Sequence, residues 1–213
     1  MPSGAPGAPG APAFRPARLY ARSRVLPATL AVLIGTALAA GWAAYWLQAQ
    51  PRFDHTARIP VVVLAPLITA GAIGTGLYTY GDELDRTAVR PWWPRRLAHL
   101  GLLTVLAALL LALAVPGRPD EFGAPAMVRN LLGATGVTAA AAAVLGARLS
   151  WLPTTVYLSG VYLAAPGTPG GIASVWAWAM QPGPQGAAWA VAALAYGGGT
   201  ALYAWRGARA EGR

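Results

Sequence analysis

The sequence predicts an all-α integral membrane protein, a polytopic bundle of six transmembrane helices with both chain ends in the cytoplasm. Three observations lead there. Only 11% of the 213 residues are charged and 56% are hydrophobic. An ordinary soluble domain is roughly 25% charged, so this chain has too little charge to cover a water-exposed surface. Several nearly uncharged runs are as long as the roughly 20 residues that cross a bilayer core, and in lipid the backbone of such a run must satisfy itself as helix. Finally, the arginines collect at the ends of these runs, twelve of them on one side of a six-span topology and four on the other. That bias orients the twelve towards the cytoplasm, and the parity it requires is even.

The formal charge of +9 comes entirely from arginine, with no lysine. Its placement at span ends, with no continuous basic stripe, suits positive-inside orientation and contact with anionic headgroups, so no nucleic-acid partner is expected. There is no cysteine, which excludes disulfides, thiolate metal sites and thiol chemistry. An all-Arg, Ala- and Gly-rich chain is what a high-GC bacterium would encode, which places the protein in a bacterial cell membrane.

In chain order, residues 1–24 form a disordered basic tail. Residues 1–14 are small, Pro- and Gly-rich and have nothing to bury, and Arg15, Arg18, Arg22 and Arg24 precede the first apolar run. A signal peptide is the rival, but the run at 25–47 exceeds a signal peptide's 7–15-residue core and ends on Trp42 and Trp46, which favours a retained span. The second span, 59–80, opens with Pro60, where a missing N–H does no harm. It contains Gly71, Gly74, Gly76 and Tyr78, positions that suit either close helix packing or the lining of a conduit. The third span, 97–115, is a Leu/Ala run closed by Pro116. The fourth, 127–147, starts with Arg129 and Asn130 and has few large side chains to offer lipid, so it belongs between neighbours. The fifth, 149–165, is short for a 30 Å core, and a half-crossing segment is the alternative. The uncharged link 166–187 carries Trp176 and Trp178, which predicts a short interfacial helix on the outer leaflet over 170–181. The sixth span, 188–205, is interrupted by Gly197, Gly198 and Gly199, and 206–213 is a short basic cytoplasmic tail. Trp42, Trp46, Trp92, Trp93, Trp151, Trp189 and Trp205 all fall near predicted membrane boundaries and suit interfacial anchoring to the lipid bilayer.

The catalytic inventory is thin. His55 and His99 fall on opposite sides, and no HExxH, GxSxG or Walker lysine is present, so no intrinsic catalytic site, metal or cofactor is expected. No charged residue falls in the middle of a predicted span, which disfavours proton-coupled transport. The densest charge lies between the second and third spans, where Asp82, Glu83 and Asp85 are followed by Arg86, Arg90, Arg95 and Arg96. Acids suit the first turn of a short helix, and Arg86 and Arg90, four apart, share one of its faces. Pro91 ends that helix and Trp92 and Trp93 follow. A solvated cytoplasmic connection and a compact docking knob both fit.

The segment YGDELDRTAVRPWWPRR resembles the elbow of the transmembrane (permease) subunit of a bacterial type-2 ABC exporter, in which an acidic residue, a threonine-containing helix, then proline and arginine precede the third span. The resemblance implies six spans, cytoplasmic ends, and docking of an ABC ATP-binding subunit, which would hydrolyse ATP, through Glu83, Asp85, Arg86, Thr87, Arg90, Pro94 and Arg95. It also implies short re-entrant helices after the fifth span and a homo- or heteromeric membrane partner completing the conduit. The chain is shorter than usual for that family and its N-terminal amphipathic helix is barely evident. The alternative is a non-transporting assembly or regulatory subunit of a larger membrane complex, using its small-residue helices as the assembly surface.

Overall fold

A computed structural model describes residues 26–50, 58–77, 93–115, 122–164 and 170–209. The apolar runs form helices and, among the described residues, no strand. The α-helices are α1 (Leu26–Gln48), α2 (Ile59–Thr75), α3 (Trp93–Ala114), α4 (Ala124–Leu145), α5 (Trp151–Ala164), the single turn α6 (Ala173–Trp176) and α7 (Gly186–Arg206). Tight 3-10 turns at Ala147–Leu149 and Trp178–Met180 join α4 to α5 and α6 to α7.

Among the described residues three helices are long and apolar enough on their own to cross a membrane: Leu26–Leu47, Trp93–Ala114 and Ala124–Leu145. The apolar helix α2 is shorter, at 17 residues, and α5 has 14, which at 1.5 Å per residue is only about 21 Å. The second helix therefore stops before the expected 59–80 is filled, and the third starts four residues earlier than expected, taking Pro94, Arg95 and Arg96 into its first turn.

Burial sorts these helices by side-chain size. In α4, 67% of the apolar window is buried, against 22% in α1 and 28% in α3. Helix α4, made largely of Ala, Gly and Thr, is the central post, packed most extensively against α7, then α2, α3 and α5, while α1 closes over α2 and α3. Without large side chains, backbones can approach closely, and this contact area joins helices where lipid supplies no hydrophobic drive between them. The closest approach joins α4 to α7, where a Cβ on Gly199 would sit 1.9 Å from the Gly136 carbonyl oxygen. The expected interruption at Gly197–Gly199 does not occur. The helix runs unbroken through all three glycines, because one of them is held against α4.

The helix ends alternate between two ends of the bundle. At one end the Tyr203 hydroxyl donates to the Leu77 carbonyl at 3.1 Å, and Arg209 donates from its backbone to Ala142 O and from its side chain to Val144 O. Gly76 lies against Thr29, Gly74 against Ser150, and Gly207 against the Arg96 guanidinium. The C-termini of α2, α4 and α7 thus meet the N-termini of α1, α3 and α5. Gly207 has φ +72° and a side chain there would collide with Arg96, so only glycine suits that position.

Five of the seven described arginines, Arg95, Arg96, Arg148, Arg206 and Arg209, lie at this end. Three helices present their carbonyl termini here, and cations are favoured at that pole of the helix dipole. All seven acidic residues lie outside the described residues.

Candidate functional site

The opposite end is organised by α4's second turn. Arg129 is fully buried there, with Asn130 beside it at 1% exposure. Arg129 Nε and Nη2 both donate to Asn130 Oδ1 at 3.1 Å. Nη2 also reaches Gln181 O at 2.6 Å and Nη1 reaches Pro182 O at 2.7 Å. A buried cation ordinarily needs a carboxylate. Here, among the described residues, carbonyl and amide oxygens take that place, two of them the backbone carbonyls of Gln181 and Pro182 that follow the 3-10 turn.

Asn130 passes the grip to α2. Pro66 sits inside α2 and has no N–H, so the Val62 carbonyl four residues earlier loses its helical donor. Asn130 Nδ2 fills the gap, donating to Val62 O at 3.0 Å and also to Ala179 O at 2.8 Å. One side chain thereby ties the proline-broken rung of α2 to the segment returning towards α7.

That returning segment, 170–185, is fastened elsewhere too. The buried Gln181 accepts from Gly170 N at 2.8 Å through Oε1, Tyr157 donates its hydroxyl to Trp176 O, and Trp189 Nε1 donates to Gly183 O at 2.8 Å. Trp178, only 4% exposed, lays its ring where a Cβ on Gly133 would be, 2.3 Å from ring carbon Cη2. The expected interfacial helix over 170–181 is therefore two short turns, one inserted into the bundle. Its exposed large apolar side chains are Ile172, Val175 and Trp176. The chemistry of the cluster is positional: a guanidinium and an amide hold a strap into the end of a helix bundle.

The sequence-predicted positions are scattered. Gly74 is a packing position, since its Cβ would fall 2.2 Å from Thr138 Cγ2 and 2.5 Å from Ser150 Oγ, and Gly76 packs against Thr29. Gly71 touches Trp151 Cβ and also lines an outward cleft of about 400 Å³. Trp42, Trp46, Trp93, Trp151 and Trp205 are exposed at helix ends, while Trp189 is half-buried and hydrogen-bonded as above. Pro94 and Arg95 lie exposed in the first turn of α3. Glu83, Asp85, Arg86, Thr87, Arg90, Tyr78 and Trp92 fall outside the described residues.

Sequence reasoning placed Arg129 as a boundary charge and gave Asn130, Pro66, Gln181 and Trp178 no site role. Two signals were present: a proline inside an apolar run frees a carbonyl, and an Arg-Asn pair inside a Gly/Ala helix has nowhere polar to go except another backbone. Compared with protein-family models, curated proteins and solved structures, the chain matches none.

Proposed function

We propose that this chain is the membrane subunit of an ATP-driven exporter in a bacterial cell membrane, crossing it six times, with the elbow at 81–96 docking a separate ATP-binding subunit. One observation carries the reading. The two helix ends that flank the elbow, at Leu77 and Trp93, lie at the arginine-bearing end of the bundle together with the first and last described helices' outer termini, as the contacts of Thr29, Arg96, Tyr203 and Arg209 require. This supports a single face presenting the elbow and both chain ends, and positive-inside orientation makes that face cytoplasmic. On this reading α5, too short alone, crosses with the help of the Ala147–Leu149 turn and local thinning of the bilayer. Rigid α2 and α3, joined by the elbow, would tilt together when a partner moves it.

A second reading is a non-transporting assembly or regulatory subunit of a larger membrane complex; Gly74, Gly136 and Gly199 pack within this chain, so its assembly surface would lie on the outer helix faces. Copurification in mild detergent separates the two. The exporter reading expects a stoichiometric ATPase that is lost from the Arg86→Glu/Arg90→Glu variant while the membrane chain stays monodisperse. Isolation of a lone chain or a non-ATPase partner, indifferent to that variant, supports the second reading.

A further inference from the structure

Two apolar rows meet in the core between α2 and α4. On α2 the row is Val62, Ala65, Ile73 and Leu77, and on α4 it is Met127, Leu131, Ala139 and Ala142. At three- and four-residue spacing each row lies along one helix face. Each has a polar member at its centre, Thr69 on α2 and Thr135 on α4, 1% and 2% exposed. Two contacts set the level of these helices against each other. Asn130 reaches Val62 O, and Thr138 Cγ2 lies where a Cβ on Gly74 would be. The two helices therefore run side by side in the same direction. Thr69 and Thr135, each about midway between those ties, fall at one depth of the bundle.

Neither Oγ1 finds a hydrogen-bond partner among the described residues. Other helical threonines do. Thr104 on α3, also 1% exposed, donates to Leu100 O at 2.8 Å, Thr155 to Trp151 O at 2.9 Å and Thr200 to Tyr196 O at 2.6 Å, the bond a threonine makes back onto the preceding turn. Thr138 and Thr154 bond each other at 3.0 Å. A buried hydroxyl left dry costs free energy, and here two of them stand level with each other in one apolar core.

We propose that Thr69 and Thr135 hold one internal water molecule between them, bridging α2 to α4. Each hydroxyl can donate and accept, so a molecule that does both satisfies the pair. Buried waters serve such otherwise unsatisfied groups. An ion would need a counter-charge or a shell of oxygens, and the row neighbours Ala65, Ile73, Leu131 and Ala139 bring neither a charge nor a side-chain oxygen. The inference is independent of the exporter reading.

The test is NMR transfer of magnetisation from water to threonine methyl groups, in the full chain purified in deuterated detergent and carbon-labelled only at threonine Cγ2. Water cross-peaks are expected at Thr69 and Thr135 and not at Thr104, whose hydroxyl is bound within its own helix. Thr135→Val should remove the Thr69 peak and Thr69→Val the Thr135 peak, with the other threonine methyl shifts reporting that the chain is folded. Each variant should also lower the folding equilibrium constant about fivefold, the net loss of one hydrogen bond. The double variant should lose no more than either single one, because both ends of the bridge are then gone. Absence of a water peak at Thr69 or Thr135 in the wild type overturns the proposal, and this readout decides even where a variant does not fold. So does a peak of equal strength at Thr104, which would make the whole core wet, or a Thr69 peak that survives Thr135→Val. Single variants more stable than the wild type also overturn it, since that is the effect of deleting a dry hydroxyl.

Discussion

Arg129 concentrates the largest electrostatic cost of the described molecule into one residue, and four hydrogen bonds to three acceptors offset it. Arg129→Ala strips donors from the buried carbonyls of Gln181 and Pro182, and leaving a buried acceptor unsatisfied costs about 1–3 kcal/mol. Arg129→Lys keeps the charge but not the planar fork that spans Asn130, Gln181 and Pro182, so it should recover only part of that loss. Thermal unfolding in detergent reads both, with the order wild type, Lys, Ala expected. An alanine variant that unfolds with the wild type would mean the strap is held by its other fastenings, the ring of Trp178 and the hydrogen bonds of Asn130, Tyr157, Gln181 and Trp189. The partners of Arg129 lie 52 and 53 residues away in sequence, which is why the sequence shows the residue and not the clamp.

Elements add a coupling that no single residue shows. If Asn130 stands in for the N–H that Pro66 lacks, then Pro66→Ala supplies that N–H and makes Asn130 less necessary to α2. A double-mutant cycle on unfolding free energy should find Asn130→Ala less costly in the Pro66→Ala background, with a coupling of about 0.5–3 kcal/mol. Strictly additive effects would show that the two sites act apart. Helix contacts make a second expectation. Gly199→Leu must separate α4 from α7 and should prevent a monodisperse folded chain, whereas Gly160→Leu, with nothing within 4 Å of its Cβ position, should be tolerated. Gel filtration in detergent distinguishes the two, and equal behaviour would contradict the close α4–α7 crossing. At this scale much was legible. Apolar run length placed α1, α3 and α4, and the scarcity of large side chains in the fourth run marked it as interior. The fate of 170–181 was not, because Trp178 reads as interfacial until Gly133, from a distant helix, supplies a socket for its ring.

For the whole molecule, the arginine bias leads to the expectation of an even number of crossings, and the helix ends of the described bundle alternate between its two ends. What counting could not give is the reason the basic end is basic in three dimensions. The carbonyl termini of α2, α4 and α7 converge there, and Arg96 and Arg209 lie directly on the ends of α7 and α4. In the proposed topology this end, the elbow and both chain ends face the cell interior. Since the chain has no cysteine, single cysteines report without background. Ser3→Cys, Thr87→Cys, Gly212→Cys and Gln185→Cys would each be exposed to a membrane-impermeant maleimide on intact spheroplasts and again after lysis. Gln185→Cys should label before lysis and the other three only after it. Labelling of Thr87→Cys on intact spheroplasts, or of Ser3→Cys and Gly212→Cys from opposite sides, would contradict it.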